Sequence, residues 1–324
     1  LDGDPGTSRL NQKERIQSAG MFVSSTYDVS ERLTLSAALR HDYVDFEVAD
    51  RLFEDGDDSG RRKFKQTSPM LGITWKAIPG IAVFANAATA FETPTTTELA
   101  NPQGGGFNPD LTSQTATNLE AGIKGSSMVG DRWMRFEFAA FKIAIEDALV
   151  PFELNTQPGR DFYRNAGKSR RKGVEGVLQW ELSPDLMAIF SYTWSDFDYQ
   201  DFQSSDGNFS GNVLPGIPEH FGNIQLTYRK DPGLFFQWNT RYTGNFYADD
   251  ANERSIEAYS VTDLRFGWER SLGEWTLEPF LGLNNIFNQN YSANIRINAF
   301  GGRYYEPAPK RNAYGGIRVR YQFQ

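Results

Sequence analysis

The chain of 324 residues lacks cysteine and has only two histidines. Disulfides and thiolate metal sites are therefore excluded, and few histidines are available for catalysis or metal binding. There are 33 basic and 41 acidic residues, and the resulting net charge of -8 argues against nucleic-acid binding. The chain also lacks a phosphate-binding glycine loop and any pairing of a nucleophile with a base. The sequence therefore predicts neither an enzyme nor a resident cofactor.

Long hydrophobic runs are also missing. No stretch approaches the roughly 18–20 apolar residues that a membrane-spanning helix requires. Hydrophobic residues make up only 39% of the chain, although aromatic residues reach 14%. The first residues, Leu1 to Asp4, show no basic or apolar leader, so no signal peptide is expected here. We expect the sequence to be a mature form or a part of something longer.

Apolar and polar residues alternate along many segments. In the clearest one, Leu234, Phe236 and Trp238 alternate with polar residues, and Phe235 is the exception. The same alternation occurs in 174–182, 263–269, 275–284 and 317–323. Successive side chains of a strand point to opposite faces, so each segment predicts a strand with one apolar face. Repeated along a chain with polar loops, this pattern predicts an all-β fold, an antiparallel transmembrane β-barrel whose apolar face contacts lipid.

Short and long connections alternate between the predicted strands. Short turns are expected at 29–32, 79–80, 184–185, 231–233 and 271–274, and long polar loops near 48–62, 92–113, 150–170, 202–216, 248–257 and 289–311. This alternation is typical of bacterial outer-membrane barrels, whose long loops lie outside. We count about 13 strands. Because bacterial single-chain barrels have even strand numbers, we expect N-terminal strands of a larger barrel to be absent. A change in apolar parity between Phe138 and Phe141 predicts a β-bulge.

An ordered set of short motifs adds a family resemblance. The motifs are Phe91–Pro94 with Glu98 and Leu99, Asn108–Leu111 with Asn118–Lys124, Asn165–Gly167 with Lys172–Gly176, then Pro215, Pro218 and His220, Asn284–Asn288 with Tyr291, and Pro309 with Arg311. Together they resemble the TonB-dependent outer-membrane receptors, in order and spacing, from about residue 70 to 323. The final strand ends on the aromatic Phe323, which the family also favours, although Gln324 follows it.

The resemblance implies that residues 1–324 form the C-terminal portion of a 22-stranded barrel, without the plug domain. It implies import of a ferric siderophore or a similar scarce ligand, with this chain forming pore wall and part of the external vestibule. The implied partners are outer-membrane lipid and lipopolysaccharide, the imported ligand, and the TonB complex through a plug not present here. A passive porin-like channel is the alternative, and a soluble β-rich enzyme or lectin is a third possibility.

In this family the ligand is contacted by the plug and by the external loops. Arginine offers charge and planar donors to carboxylate or catecholate oxygens, and aromatic rings can stack on the ligand. The ligand-binding residues implied for this chain are Phe107, Asn108, Arg160, Tyr163, Arg164, Tyr247, Arg303, Tyr304 and Tyr305. The alternative for each is that the loops are solvated or pack on one another.

Several other polar residues have a simpler interpretation. Haem receptors of this family place a histidine between two loop motifs, but residues 95–107 contain none. His41 and His220 lie in predicted strands, so a siderophore is favoured over haem. Glu120, Lys124 and Glu175 are expected to line the lumen in charge networks. The acidic run 54–58 matches no calcium-loop spacing and is expected to be solvated.

Overall fold

The computed structural model describes residues 11–54, 56–154, 157–204, 207–299 and 303–323, with the backbone alone at 153 and 157–161. No helix in these residues is long and apolar enough to cross a membrane. The strands are β1 Gln12–Asp28, β2 Leu33–Asp50, β3 Gly60–Ile78, β4 Ile81–Glu92, β5 Gln114–Val129, β6 Arg132–Leu154, β7 Gln157–Ser183, β8 Leu186–Asp201, β9 Gln203–Ser204, β10 Gly207–Asn208, β11 His220–Lys230, β12 Leu234–Thr243, β13 Phe246–Tyr247, β14 Ser255–Ile256, β15 Tyr259–Trp268, β16 Arg270–Leu272, β17 Trp275–Asn284, β18 Ser292–Ile295, β19 Tyr305–Pro307 and β20 Asn312–Tyr321. The predicted all-β class is confirmed.

Most of the strands form one antiparallel sheet. Its order is β1 to β8, then β11, β12, β15 and β17, with β20 also paired to β17. The short β16 continues β15 beyond Glu269, since both strands pair with β17. The sheet therefore contains the 13 strands that the sequence predicts. Among the described residues β1 and β20 are its two edges, and no pairing joins them. The remaining strands form small hairpins in the long connections.

The two faces of the sheet follow the alternation in the sequence. Leu234, Phe236 and Trp238 align across the ladder with apolar residues of β15. Large side chains on this face stay exposed: Leu234 is 50% accessible and Trp275 also 50%. Such a surface suits contact with lipid rather than water. We call it the outward face, and its apolar stretch the apolar band.

Phe235 breaks the alternation because it points to the opposite, inner face. Its side chain is 2% exposed. Its ring lies beneath the guanidinium groups of Arg229 and Arg265, at 5.5 and 5.3 Å from the two Cζ atoms. A Cβ on Gly267 would approach this ring to 2.6 Å, so the glycine makes room for it. The exception in the sequence is therefore an aromatic ring buried within the lumen wall.

Charged side chains collect on the inner face near the C-terminal strands. Glu278 is 6% exposed and forms ion pairs with Arg265 and Arg318, both at 3.0 Å, and with Arg320 at 3.5 Å. The predicted lumen network thus exists, but its members differ from those expected. Glu120, Lys124 and Glu175 face inward as predicted, yet no ion pair among the described residues involves them; Lys124 lies over the ring of Phe84 instead.

The connections match the predicted alternation with two corrections. Every predicted short turn is present, and a further one at Gly130 and Asp131 escaped prediction. The predicted loop 150–170 is wrong, because β6 and β7 remain paired as far as Glu153 and Asp161. These strands continue well past the apolar band. There the outward face contacts water, so the alternation of apolar and polar residues that marks a lipid-facing strand disappears.

The predicted bulge between Phe138 and Phe141 is also wrong. The register of β5 with β6 is unbroken from Arg132 to Glu146, and β6 shifts against β7 only beyond Ile145. Phe138 points outward, whereas Phe141 points inward and its ring meets that of Phe197 at 6.2 Å. The parity changes because the strand leaves the apolar band. Beyond it the outward face meets water, and apolar residues pack on the inner face.

Candidate functional site

The long connections fold back over the inner face of the sheet. Phe46 and Phe64 form a core cluster with Leu99 and Leu111 of loop 93–113. The two phenylalanine rings meet edge to face with centroids 5.8 Å apart. Arg62 Nη2 donates hydrogen bonds to the carbonyl oxygens of Pro109 and Leu111 at 2.6 and 2.7 Å. Burial and these charge-assisted bonds hold the loop against β2 and β3.

Three other long loops are joined at Asp250. Its carboxylate accepts a hydrogen bond from the Tyr199 hydroxyl at 2.7 Å and another from the Asn298 amide at 2.7 Å. The backbone carbonyl of Asp250 accepts from Asn212 Nδ2 at 2.8 Å. Tyr199 lies in β8, and the other residues lie on loops 202–219, 244–258 and 285–311. A single aspartate thus links the three loops to one strand.

Beneath these loops lies a cavity of about 1080 Å³, on the inner face of the sheet at the ends of β4 to β8 that lead into the long loops. We call this cavity the outer vestibule. Its volume is near the upper end for sites that take small ligands. Its lining combines polar, aliphatic and aromatic residues. The inward side chains include Phe152, Arg171, Tyr199 and Phe202.

One cation of the outer vestibule has no acidic partner. No ion pair among the described residues involves Arg171, and its buried Nε has no hydrogen-bond acceptor there. Burial, followed by the hydrogen bond to Asp250, raises the pKa of Tyr199, so its hydroxyl remains a neutral donor. The rings of Tyr199 and Phe202 stack at 4.3 Å. The arrangement can bind an anionic ligand that carries flat groups.

Three of the sequence-predicted residues lie in the packing between loops. Asn108 is 6% exposed; its Nδ2 donates to the Tyr163 carbonyl at 3.4 Å and its Oδ1 accepts from the Asp110 amide at 3.0 Å. Phe107 and Tyr163 pack against the core cluster of Phe46, Phe64, Leu99 and Leu111. Their side chains therefore support loop 93–113.

Among the remaining predicted residues, Arg164 lies beside the outer vestibule. Its guanidinium lies 5.7 Å from the centre of the Phe152 ring and donates to the Gln203 carbonyl at 2.7 Å. Tyr247 is half-buried, and its carbonyl accepts from the Gly216 amide at 2.7 Å. Arg303 is exposed, and Tyr304 and Tyr305 meet edge to face at 6.1 Å. Arg160 lies in β7, and its side chain is outside the described part.

Sequence reasoning missed Arg171 and Tyr199, because the motifs in 165–176 and the predicted loop 150–170 do not show which side chains of β7 share the inner face with those of β8. A signal was available. Arg171 has the inward parity of Glu175, and Tyr199 has the inward parity of Phe197 on the neighbouring strand.

Neither histidine reaches this cavity. His41 Nδ1 lies 2.9 Å from Thr67 Oγ1, and His220 Nδ1 lies 2.8 Å from the Tyr192 hydroxyl, both on the outward face. In the part of the chain that is described, no group of three or more histidine, cysteine, aspartate or glutamate side chains could hold a metal ion.

Comparisons with known proteins agree with this architecture. The profile of the family described as TonB dependent receptor-like, beta-barrel, matches residues 1–286. The chain is 25% identical over 307 residues to the ferrichrome outer membrane transporter/phage receptor of Escherichia coli strain K12, covering 92% of this chain and 38% of that protein. It is 24% identical over 271 residues to the metal-pseudopaline receptor CntO of Pseudomonas aeruginosa strain UCBPP-PA14, covering 82% of this chain and 35% of that protein.

Solved structures show the same fold. The siderophore receptor PiuA from Acinetobacter baumannii matches with a TM-score of 0.77 and 18% identity, over 95% of this chain and 43% of that one. The ferric citrate transporter FecA in its unliganded form matches with a TM-score of 0.76 and 15% identity, over 99% of this chain and 47% of that one. The chain spans less than half the length of these relatives.

The lipid-suited outward face, the 13-stranded antiparallel sheet and the profile match lead to one conclusion. The chain is an outer-membrane protein and belongs to the TonB-dependent receptor-like β-barrel family, whose members are transporters and receptors.

Proposed function

We propose that this chain forms the wall and the extracellular vestibule of a TonB-dependent importer of a ferric siderophore or a similar scarce ligand. The observation that carries the proposal is the outer vestibule, in which Arg171, without an ion pair among the described residues, and the rings of Phe152, Tyr199 and Phe202 face a cavity of about 1080 Å³. The proposal is supported by the names of relatives, which include receptors for ferrichrome, pseudopaline and ferrioxamine B.

The ligand that fits this cavity carries anionic oxygens and flat groups. Arg171 can donate through the Nε that has no acceptor among the described residues. The rings of Tyr199 and Phe202 offer faces for stacking. Ferric complexes of catecholate, hydroxamate or carboxylate chelators have this chemistry. In this proposal the protein binds the ferric complex and lets it pass through the barrel.

The sequence-predicted residues take two roles in the proposal. Arg164 contacts the ligand beside Phe152. Phe107, Asn108 and Tyr163 hold the loop wall, as their packing suggests. The exposed or half-buried residues of the other loops, Tyr247, Arg303, Tyr304 and Tyr305, make the first contact with the arriving ligand. Arg160 of β7 is proposed for the same role from the sequence alone.

The energy for import would come from outside this chain. We propose that residues 1–324 are the C-terminal portion of the barrel of a longer receptor, and that the TonB complex acts through a plug domain. The support is the share of the relatives that the chain covers, 38% for the ferrichrome transporter and 43% for PiuA.

The test is uptake of radioactive iron by cells that express the whole protein, with ferric hydroxamate, ferric catecholate and ferric citrate supplied in turn. We expect one complex to accumulate, and accumulation to stop when TonB is removed. Arg171→Gln should weaken binding of that complex by about tenfold, because a charge-assisted hydrogen bond is lost. Lys172→Gln is the matched control, since this neighbour points to the outward face. Uptake that persists without TonB and does not saturate would establish a passive porin instead.

A further inference from the structure

A second cavity lies on the inner face of the sheet, beside the ends of β8, β11, β12 and β15 that lead into the long loops. Its volume is about 600 Å³, which is in the middle of the range for sites that take small ligands. Segments 216–218 and 291–293 of two long loops complete its wall. We call this cavity the C-terminal cavity, because most of its strands belong to the C-terminal part of the sheet.

The C-terminal cavity is separate from the outer vestibule. Segment 214–218 lies between them, with its first two residues on the outer vestibule and the other three on the C-terminal cavity. At the boundary the amide of Gly216 donates to the Tyr247 carbonyl at 2.7 Å, and a Cβ on Gly216 would lie 3.0 Å from Ile297. Among the described residues none lines both cavities. A ligand in the C-terminal cavity therefore has its own set of contacts.

One arginine supplies the charge of this cavity. Arg241 has the inward parity of Phe235 on the same strand. Among the described residues that line the cavity, Arg241 alone carries a charge. No ion pair or hydrogen bond within the described part of the chain engages its side chain. Its planar fork of donors is therefore available to an anion, and a carboxylate matches that fork with two hydrogen bonds.

Two aromatic rings flank a small side chain in the same cavity. Phe221 and Tyr259 pair with Thr243 from its two sides, so the three residues form one row across β11, β12 and β15. Phe221 is 39% exposed although it points inward, and the ring of Tyr259 stacks on that of Tyr291 at 5.1 Å. Neighbouring strands lie about 4.8 Å apart, so the backbones of Phe221 and Tyr259 are about 10 Å apart. We call the space above Thr243, between these two residues, the aromatic slot.

The aromatic slot and the arginine are spaced for one small ligand. Arg241 precedes Thr243 by two residues on β12, which places it about 7 Å below the slot. A carboxylate on Arg241 would therefore bring a ring attached to it to the height of the slot. Thr193 and Ser195 of β8 line the same cavity, and within the described part of the chain no hydrogen bond engages their hydroxyl groups. They are free to donate to the carboxylate or to a polar substituent of the ring.

We propose that the C-terminal cavity is a second ligand site, which binds a small aromatic carboxylate with its carboxylate on Arg241 and its ring in the aromatic slot. The single positive charge selects a single negative charge, and two flanking rings favour a flat ligand over a puckered one. The volume is little more than half that of the outer vestibule, so the site suits a smaller molecule. This inference does not depend on which complex the outer vestibule takes.

The test is equilibrium dialysis of the whole protein in a non-ionic detergent against radioactive benzoate, with protein-free micelles as the blank. Benzamide and cyclohexanecarboxylate are the comparison probes, because the first lacks the charge and the second lacks the flat ring. We expect benzoate to bind about tenfold more tightly than benzamide, since a charge-assisted pair of hydrogen bonds is at stake. We expect it to bind severalfold more tightly than cyclohexanecarboxylate.

A pair of variants assigns the binding to this cavity. Arg241→Gln should remove the preference for benzoate over benzamide, while benzamide itself still binds and shows that the aromatic slot is formed. Arg135→Gln is the matched control. It changes an inward arginine of β6 that lies outside the cavity and has no ion pair in the described part of the chain, so the preference should remain. Circular dichroism of both variants checks that the strands are formed.

Each result decides the proposal. Equal binding of benzoate and benzamide by the unaltered protein would overturn it, as would the absence of benzoate binding at millimolar concentration, and neither comparison needs a variant. Loss of the preference in both variants would indicate general electrostatic attraction and would also reject it. Equal binding of benzoate and cyclohexanecarboxylate would reject the aromatic slot and with it the proposed class of ligand.

Discussion

Tyr199 donates a hydrogen bond of 2.7 Å to Asp250, and this contact joins the end of β8 to loop 244–258. Asp250 also accepts from Asn298 of loop 285–311. The wall of the outer vestibule on this side is thus formed by residues distant in sequence that meet at one carboxylate. A cavity whose walls are fixed before the ligand arrives loses less conformational entropy on binding.

The first prediction concerns the loss of this contact. Tyr199→Phe removes the hydroxyl and leaves the Asp250 carboxylate with Asn298 alone. We therefore expect loop 244–258 to open more readily, by about 1–3 kcal/mol for a lost hydrogen bond to a charged group. Amide hydrogen exchange of residues 248–252 should accelerate accordingly. Tyr192→Phe is the control, because that hydroxyl meets His220 on the outward face. Equal exchange in Tyr199→Phe and the unaltered protein would mean that the contact does not hold the loop.

The second prediction concerns alkaline pH. Burial and the bond to Asp250 raise the pKa of Tyr199. The neutral hydroxyl is therefore favoured in the folded protein. It contributes its full stability below about pH 10, the ordinary pKa of tyrosine, and this contribution is lost only as pH rises through the raised value. Spectrophotometric titration of folded Tyr199→Phe and of the unaltered protein should give the same phenolate absorbance near pH 11. After unfolding, the unaltered protein should show one more phenolate.

The third prediction concerns the inner wall. Glu278→Gln leaves Arg265, Arg318 and Arg320 near one another without their shared carboxylate. Two of these arginines are about half exposed, and solvent weakens the repulsion among the three charges. We therefore expect a loss of about 1–3 kcal/mol in the free energy of unfolding. Urea unfolding in detergent micelles measures it. Glu137→Gln, on the inner face of β6 and without an ion pair among the described residues, should change stability little. A comparable loss in both variants would contradict this explanation.

The strands and their faces could be predicted because lipid imposes a period of two on each of them. Leu234, Phe236 and Trp238 reveal their common face without any tertiary information. The same rule explains why the predicted bulge near Phe141 and the predicted loop 150–170 are wrong. Once a strand leaves the apolar band, the outward side chains meet water and the inner ones pack together, so the period no longer reports on membrane contact.

The outer vestibule was less predictable, because its residues are brought together by register and by loop packing. Arg171 and Tyr199 are neighbours only through the pairing of β7 with β8. Phe107 and Tyr163 are predicted ligand contacts, and the structure packs both against the core cluster, where the bonds from Arg62 hold loop 93–113 against the sheet. The arginine and aromatic residues of a loop indicate which ligands it could bind. Contacts with residues distant in sequence determine which of those side chains remain free to contact a ligand.

The last prediction concerns a glycine in the lumen wall. A Cβ on Gly267 would lie 2.5 Å from the Pro279 carbonyl oxygen and 2.6 Å from the Phe235 ring. The oxygen belongs to the backbone of the paired strand β17, so it can shift only together with that strand, and Phe235 is only 2% exposed. Gly267→Ala should therefore cost about 1–3 kcal/mol in the free energy of unfolding, through displaced backbone and ring.

Gly72→Ala is the matched control, because the nearest atom to its Cβ would be 3.7 Å away, an ordinary contact. With no clash, the added methyl group restricts the unfolded chain, and we expect no loss of stability. Urea unfolding of the two variants in the same detergent makes the comparison. If Gly267→Ala is as stable as Gly72→Ala, then β15 and β17 do not approach as closely as their pairing requires, and the burial of Phe235 beneath Arg265 has to be explained in another way.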